Sequence, residues 1–195
     1  LAQLAECNTQ LLLGEIEELQ GHYNEALLLL QKALLTAQHF DDQPLLARTH
    51  RLLARVYSRH KRATEAVQHI ECALTIYETL KDRVAQAWTR NELAAVYIDS
   101  RQFQTVLDPA RQAYQFFKSI QSPYMMSVAA ANLAEAYFEL GDWQQAEHFA
   151  QEVLAQEEPQ SYAYGLFTLG RLHCERANWA VAAAHFGEII RITEA

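Results

Sequence analysis

The feature that most constrains the fold of this chain is a sequence repeat with a period near 40 residues. Four alanines and one valine occupy equivalent places, at steps of 40, 40, 40 and 36 residues: Ala26, Ala66, Val106, Ala146 and Ala182. Twelve residues before each of them stands a glycine or an alanine that follows a leucine: Leu13-Gly14, Leu53-Ala54, Leu93-Ala94, Leu133-Ala134 and Leu169-Gly170. Small residues at fixed offsets in such a period are typical of stacked two-helix repeats, which build one long surface for a partner.

Apolar periodicity and helix breakers predict ten helices. We expect first helices over residues 1–20, 44–59, 83–100, 123–140 and 160–176, and second helices over 23–39, 63–80, 103–120, 143–156 and 179–194. The repeats run over 1–40, 43–80, 83–120, 123–157 and 160–195 within a single domain over 1–195. The sequence therefore predicts an all-α protein, a right-handed α-α superhelix (solenoid) of five helix-turn-helix repeats with one continuous core.

Pro109 departs from this plan, because it falls about two turns inside the helix predicted over 103–120. A proline in a helix interior costs about 3 kcal/mol of helix stability. Two alternatives follow: the helix starts late with Asp108 as its cap, or the helix is kinked.

Composition narrows the classes of function. The net charge of −8 argues against a general nucleic-acid surface. Every apolar run is short, so the sequence offers no membrane span, and its N-terminus shows no secretory signal. The three cysteines, Cys7, Cys72 and Cys174, are odd in number and lie in different repeats, which predicts free thiols in a reducing cytoplasm.

Both ends of the chain carry apolar helical residues where a solenoid needs polar caps. Near the N-terminus these include Leu4, Leu12 and Leu13, and near the C-terminus Ile189 and Ile190. We expect the sequence to be a segment of a longer protein, and we expect its exposed solenoid ends to support a weak homodimer.

The repeat residues resemble those of the tetratricopeptide repeat family. In that family each hairpin carries leucine with glycine or alanine, then a tyrosine, then a glycine and an aromatic residue, and then alanine. The fourth repeat here has these residues in order: Leu133, Ala134, Tyr137, Gly141, Trp143, Ala146, Ala150 and Val153. The resemblance covers essentially the whole chain and implies the tetratricopeptide repeat fold.

The 40-residue step is longer than the period of about 34 residues usual in that family. It looks like the long-period variant in sensor segments of bacterial STAND-type ATPases and transcription regulators, and it is similar to kinesin light chains and to peptide-pheromone receptors. The resemblance implies a non-catalytic module that binds a protein, peptide or effector within a larger cytoplasmic, bacterial signalling or transcription regulator. A regulatory phosphatase of the peptide-pheromone-receptor type and a constitutive scaffold or adaptor remain as alternatives.

Motifs for catalysis or cofactor binding are missing from the sequence. It contains no GxxxxGK[ST], GxGxxG, HExxH or GxSxG motif, and its six glycines are scattered. His173 and Cys174 are adjacent and so point in different directions on a helix, which makes a poor metal site. We therefore expect no enzymatic activity, no metal and no cofactor in this segment.

A stripe of arginines is the strongest candidate for a binding site. Five arginines follow one another at spacings of 3, 4, 4 and 3 residues: Arg48, Arg51, Arg55, Arg59 and Arg62. This spacing places them within roughly an 80° arc of one helix. Residues 43–64 include six lysines or arginines and no acidic residue, whereas the rest of the chain has ten basic and 24 acidic residues. By the family resemblance, the first four arginines face a concave groove, where guanidinium groups would bind an acidic peptide, a carboxylate or a phosphate.

Internal ion pairing of the same arginines is the alternative. Equivalent groove positions on the neighbouring first helices carry Glu15 and Asp99, which can pair with Arg55 and Arg59. Two carboxylates cannot neutralise five arginines, so the sequence leaves both interpretations open.

Four further residues fall at groove positions of later first helices: Trp88, Asn91, Tyr164 and Phe167. Exposed aromatic residues on a concave face anchor partners, and Asn91 offers both a donor and an acceptor to an extended peptide backbone. For Trp88, packing against the next helix remains the alternative.

Overall fold

Ten α-helices make up nearly all of the protein that the structure describes. The structure, a computed structural model, describes residues 2–156 and 158–194. Its helices are α1 (Ala2–Leu19), α2 (Tyr23–His39), α3 (Gln43–Arg59), α4 (Ala63–Thr79), α5 (Arg83–Asp99), α6 (Phe103–Ser119), α7 (Pro123–Glu139), α8 (Trp143–Ala155), α9 (Pro159–Glu175) and α10 (Trp179–Thr193). Every limit lies within one residue of the sequence-based prediction, and the described ranges contain no strand. The predicted all-α fold of helix-turn-helix repeats is confirmed; residues 1, 157 and 195, where predicted repeats begin or end, lie outside the described ranges.

The chain divides into two compact units, Leu1–Ser100 and Arg101–Ala195. In the first unit, the hairpins α1–α2 and α3–α4 pack together through α2 and α3, and α5 packs on α4. In the second unit, α6 packs on α7, and the hairpins α7–α8 and α9–α10 pack together through α7, α8 and α9. Each unit buries its own apolar residues, and the single domain predicted over 1–195 stays a prediction.

The turns between helices recur at a constant step of 20 residues. One residue with positive φ marks each of seven successive turns: Gly21, Asp41, Lys61, Lys81, Arg101, Gln121 and Gly141. The next such residue within the described ranges is Ala177, 36 residues later, because α8 has 13 residues where α7 and α9 have 17. The fourth repeat is therefore about one helical turn shorter than the other repeats.

The two helices of a hairpin meet at the small residue of the repeat. A Cβ added at Gly14 would lie 2.8 Å from Cδ2 of Leu30, and a Cβ added at Gly170 would lie 2.6 Å from Cε1 of Phe186. In the fourth repeat the residue equivalent to Phe186 is an alanine, and the small residue there is Ala134. In the first and fifth repeats a larger side chain on the second helix thus goes with a glycine on the first, whereas the second repeat pairs Ile70 with Ala54.

Pro109 does not interrupt its helix. α6 runs from Phe103 to Ser119 with Pro109 buried inside it. The carboxylate of Asp108 accepts a hydrogen bond from Gln112 at 2.8 Å rather than capping a helix. The alternative of a late start capped by Asp108 is therefore wrong, while a kink at Pro109 stays a prediction.

Apolar residues that are exposed on α1 have buried equivalents on α3, the first helix of the second repeat. Leu13 and Ile16 are exposed, whereas the equivalent Leu53 and Val56 of α3 are fully buried beneath the preceding hairpin. An exposed apolar face supports association. The homodimer expected from the sequence stays a prediction.

We expect Gly170→Ala to destabilise the protein by about 1–3 kcal/mol, because the new methyl group overlaps the ring of Phe186. The same substitution should cost much less when it is made in a Phe186→Ala protein, which recreates the alanine pair of the fourth repeat, because the ring is absent there. The control is Gly187→Ala in the same helical hairpin, where an added Cβ meets nothing within 4 Å. Urea denaturation measures all three, and equal costs at Gly170 and Gly187 would contradict the packing argument.

Candidate partner-binding surface

α3 presents its arginines because its apolar residues face the core. Asp42 accepts a hydrogen bond from the amide of Leu45 at 3.1 Å and so starts the helix. Leu46, Leu53 and Val56 are buried in the apolar core of the first unit. This amphipathic pattern leaves the other face to the arginines, whose exposed side-chain fraction runs from 23% at Arg51 upwards.

Arg51 binds Glu92 of α5 through two parallel hydrogen bonds. Its Nε and Nη2 atoms each donate to one carboxylate oxygen over 2.8 Å. Burial by itself lowers the pKa of Arg51, but the hydrogen bonds and charge of Glu92 outweigh that effect and raise the pKa above its usual value. Because a bidentate arginine–carboxylate pair is the strong form of this contact, Arg51 ties α3 to α5.

Glu18 of α1 holds two further arginines. Its carboxylate is buried, with 2% of the residue exposed, and accepts a hydrogen bond from Nε of Arg55 at 3.0 Å. Nε of Arg59 contacts the other oxygen as an ion pair, although that oxygen receives no well-directed hydrogen bond. A buried carboxylate is costly without a cation, so these contacts tie α1 to α3.

Glu15 of α1 is held more loosely. Its two oxygens lie 3.4 Å from Nη2 of Arg48 and 3.5 Å from Nη2 of Arg55. Both distances are at the upper limit of a hydrogen bond. The side chains of Arg48 and Glu15 are 46% and 28% exposed, and ion pairs in such positions contribute about 0–1 kcal/mol.

Internal pairing involves more carboxylates than the sequence suggested. Glu15 pairs as expected, but Asp99 accepts a hydrogen bond from Ser58 at 2.9 Å instead. Three glutamates not considered at the sequence level complete the pairing of the five arginines: Glu18, Glu65 and Glu92. The repeat could have indicated Glu92, which lies 41 residues, about one period, after Arg51. Binding of a ligand by these arginines stays a prediction.

Trp88 and Asn91 of α5 are less accessible than their groove positions suggested. Trp88 is half-buried and Asn91 is 4% exposed, and both interact with other residues of the chain. A peptide would reach the carboxamide of Asn91 only after neighbouring side chains moved. Contact of either residue with a ligand stays a prediction.

In the second unit, Tyr164 and Phe167 are exposed on α9, by 66% and 45%. Beside them the guanidinium of Arg171 lies 3.8 Å from the ring centroid of Phe138 and 5.6 Å from that of Phe167. Two glutamates of α7, Glu135 and Glu139, form ion pairs with the same guanidinium. Arg171, which stacks on Phe138 and forms ion pairs, therefore packs against the partly exposed ring of Phe167.

The same arginine position is used in both units. Arg171 is the repeat equivalent of Arg55, and Glu135 is the equivalent of Glu15. In each unit an arginine of one first helix pairs with a glutamate of the preceding first helix. Sequence reasoning missed Arg171 because it is a single arginine outside the stripe.

A histidine pair lies inside the hairpin α3–α4. The Nδ1 atoms of His50 and His69 are 2.8 Å apart, and Tyr57 stacks on His69 with 5.3 Å between ring centroids. Burial lowers the pKa of both histidines, and the neighbouring His50 helps to lower that of His69 to about 4, against a weaker opposing effect of Glu65. A hydrogen bond between the rings requires one unprotonated nitrogen, so the contact excludes the doubly protonated pair.

Residues 2–156 and 158–194 contain neither a candidate metal centre nor a candidate membrane span. No group of three or more His, Cys, Asp or Glu side chains there could hold a metal ion. No helix in these ranges is long and apolar enough to cross a membrane. The three cysteines are free thiols.

Comparisons with known proteins match the repeat at the level of sequence and structure. Family models described as tetratricopeptide repeat match residues 5–79 and 128–155. A search of curated proteins gives no significant match.

Three solved structures illustrate the likeness in fold. BtubC (BKLC) from P. vanneervenii has a TM-score of 0.82 and 23% identity, over 98% of this chain and 81% of that one. A candidate kinesin light chain from Podosopora anserina with nearly identical TPR-like repeats has a TM-score of 0.80 and 20% identity, over 97% and 95%. A Rap protein complexed with Competence and Sporulation Factor has a TM-score of 0.82 and 20% identity, over 100% of this chain but 56% of the Rap chain.

We expect the stability of the fold to decrease as the pH falls from about 6.5 towards 4, because the unfolded chain protonates His50 and His69 where the folded chain resists it. The loss should be about 1–2 kcal/mol after allowance for the partial exposure of the rings. Urea denaturation at pH 7.5 and pH 5 measures it. His69→Phe, which copies the Tyr137–Phe149 stack of the fourth repeat, should remove most of this dependence, and an unchanged pH profile would contradict the assignment.

We expect Glu18→Gln to lower the free energy of unfolding by about 1–3 kcal/mol, because Arg55 and Arg59 lose their shared buried carboxylate. Glu25→Gln, an exposed position in the first turn of α2, removes the same charge and should cost less than about 0.5 kcal/mol. Urea denaturation at neutral pH compares the two. Equal effects would show that the Glu18 contacts carry no particular stability.

Proposed function

This chain belongs to the tetratricopeptide repeat family, and we propose that the first helices of its repeats form the binding surface for a protein or peptide partner. Repeats of this kind present long surfaces for protein–protein interaction. The surface in each unit consists of the exposed side chains of the first helices, with α9 as the main apolar anchor.

The exposed aromatic pair on α9 is the observation that carries this proposal. Tyr164 and Phe167 lie one helical turn apart and leave 66% and 45% of their surface to solvent. Large aromatic residues at neighbouring exposed positions are typical of interaction sites, where they supply much of the binding energy. The ion-paired Arg171 beneath Phe167 limits the motion of the pair before a partner arrives, which reduces the entropy lost on binding.

The first unit adds a charged surface on α3. Its predicted groove residues are Arg48, Arg51, Arg55 and Arg59, with Trp88 and Asn91 on α5. The more buried arginines of this surface, such as Arg51, already form ion pairs within the protein. The surface therefore favours a partner whose acidic residues contact the more exposed arginines, such as Arg48. The partner is accordingly an acidic protein or peptide rather than a nucleic acid or a membrane.

We place the segment, without catalytic activity of its own, in a larger cytoplasmic regulator of bacterial signalling or transcription. The long repeat period supports this, since it resembles the sensor segments of STAND-type regulators. A constitutive scaffold would share the same surface but would bind its partner regardless of any effector.

A regulatory receptor of the Rap type is the second candidate, favoured by the TM-score of 0.82 to a Rap protein in complex with Competence and Sporulation Factor. Incubation of the segment with phosphorylated response regulators separates the candidates. Release of phosphate would favour the receptor, whereas the proposed binding module leaves the phosphorylated proteins unchanged.

We expect peptides selected from a random phage-displayed library to lose at least about tenfold in affinity on Tyr164→Ser with Phe167→Ser, since two aromatic anchors are removed. Fluorescence anisotropy with the synthesised peptides measures this. Tyr164→Ser alone, at the more exposed position, tests the surface with less effect on folding. The matched control is Trp143→Ser, an exposed aromatic residue on a second helix, and selected peptides that bind all variants equally would refute the assignment.

A further inference from the structure

We propose that Arg48 and Arg55 form a carboxylate-binding site in which Glu15 occupies the place of the ligand. The ligand class is the side-chain carboxylate of an acidic peptide. This inference rests on the proposed function, because it identifies which arginines of α3 meet the partner and which hold the fold.

The contacts around α3 divide its arginines into two classes. Arg51 is fixed by two hydrogen bonds of 2.8 Å to Glu92, and Glu18 is buried beneath Arg55 and Arg59. Breaking either arrangement would leave a partly or fully buried charge without a partner. By contrast, each oxygen of Glu15 makes one long contact, of 3.4 Å or 3.5 Å, to an Nη2 atom. Glu15 is therefore the carboxylate that leaves at the lowest cost.

Exchange of Glu15 for an incoming carboxylate leaves the helix packing intact. Glu15 is 28% exposed and can turn into water without leaving an uncompensated charge behind. Arg55 keeps its contacts to Glu18, from Nε at 3.0 Å and from Nη2 at 2.9 Å, while the second hydrogen of Nη2, now directed to Glu15 over 3.5 Å, takes the ligand. Arg48, which is 46% exposed and paired only weakly, takes a second oxygen or a second carboxylate. The two arginines lie seven residues apart, about 10.5 Å along the helix, so an extended acidic peptide reaches both.

In the second unit, the equivalent arginine is held on several sides by neighbouring side chains. Arg171 has two glutamate partners and lies 3.8 Å above the ring of Phe138. The repeat position of Arg48 is taken there by Tyr164, which adds no cation. Within the described residues, the combination of two arginines around a loosely bound, exposed glutamate thus belongs to α1 and α3.

The test measures binding of fluorescein-labelled hexaglutamate by fluorescence anisotropy at 50 mM and 300 mM NaCl. Glu15→Gln should tighten binding about three- to tenfold, which corresponds to loss of a competing exposed ion pair. Arg48→Ala should weaken it at least about threefold, and the higher salt should weaken every complex. Glu25→Gln on α2 is the matched control, because it gives the same net charge as Glu15→Gln away from the arginines and should change the affinity less than twofold.

Three outcomes would overturn the inference. They are equal affinities of Glu15→Gln and Glu25→Gln, no binding of hexaglutamate by either the parent protein or Glu15→Gln, and a loss of stability in Glu15→Gln as large as that in Glu18→Gln. The last would show that Glu15 is a structural partner rather than a displaceable one. The proposed partner surface on α9 is tested separately by peptides that depend on Tyr164 and Phe167, so failure of hexaglutamate counts against the acidic partner and not against that surface.

Discussion

The close contact between the two helices of a hairpin is the constraint on which the rest of this structure depends. At Gly14 and Gly170 there is no room for a methyl group, because Leu30 and Phe186 already fill the space opposite. With the axes so near each other, each helix is held in one rotation about its own axis, with its small residue facing its partner. The remaining residues of the first helices are then forced outward, and this is the origin of the arginine face on α3 and of the aromatic face on α9.

Ion pairs between consecutive first helices add a second level of organisation. Arg55 with Glu15 and Arg171 with Glu135 occupy the same repeat positions in different units. The short contacts beside them, such as that of Arg55 with buried Glu18, hold neighbouring first helices relative to each other before a partner binds, whereas the long contact of Arg55 with Glu15 adds little. Seven residues before this arginine stand Arg48 in the first unit and Tyr164 in the second, and both side chains are exposed. Specificity can therefore change at such positions without disturbing the pairs that support them.

The sequence predicted the helices well because their limits depend on local chemistry. Prolines in first turns and aspartates such as Asp82 and Asp142, which accept hydrogen bonds from helix amides, mark those limits directly. The positive φ at Lys61 and Lys81 was not predictable in the same way, because residues with a Cβ rarely adopt it and only the packed helices impose it.

The candidate site was harder to predict, since its geometry depends on distant parts of the chain. The arginine stripe and the exposure of Tyr164 followed from spacing along one helix. The pairing of Arg55 with Glu18 and the burial of Asn91 depend on how neighbouring helices meet. The spacing of residues along one helix predicts the face on which a side chain lies. It does not predict which side chains of the neighbouring repeat contact it.

The constant spacing of the turns restricts how a chain of this kind can change in length. α8 is four residues shorter than its neighbours, close to one whole helical turn, and α9 still buries Leu169 and Leu172. A deletion of two residues would instead rotate the following segment by about 200° and turn its apolar stripe towards solvent. Only insertions and deletions of nearly whole helical turns keep the apolar stripe facing the core. The array can therefore change in length by such steps while its binding face is preserved.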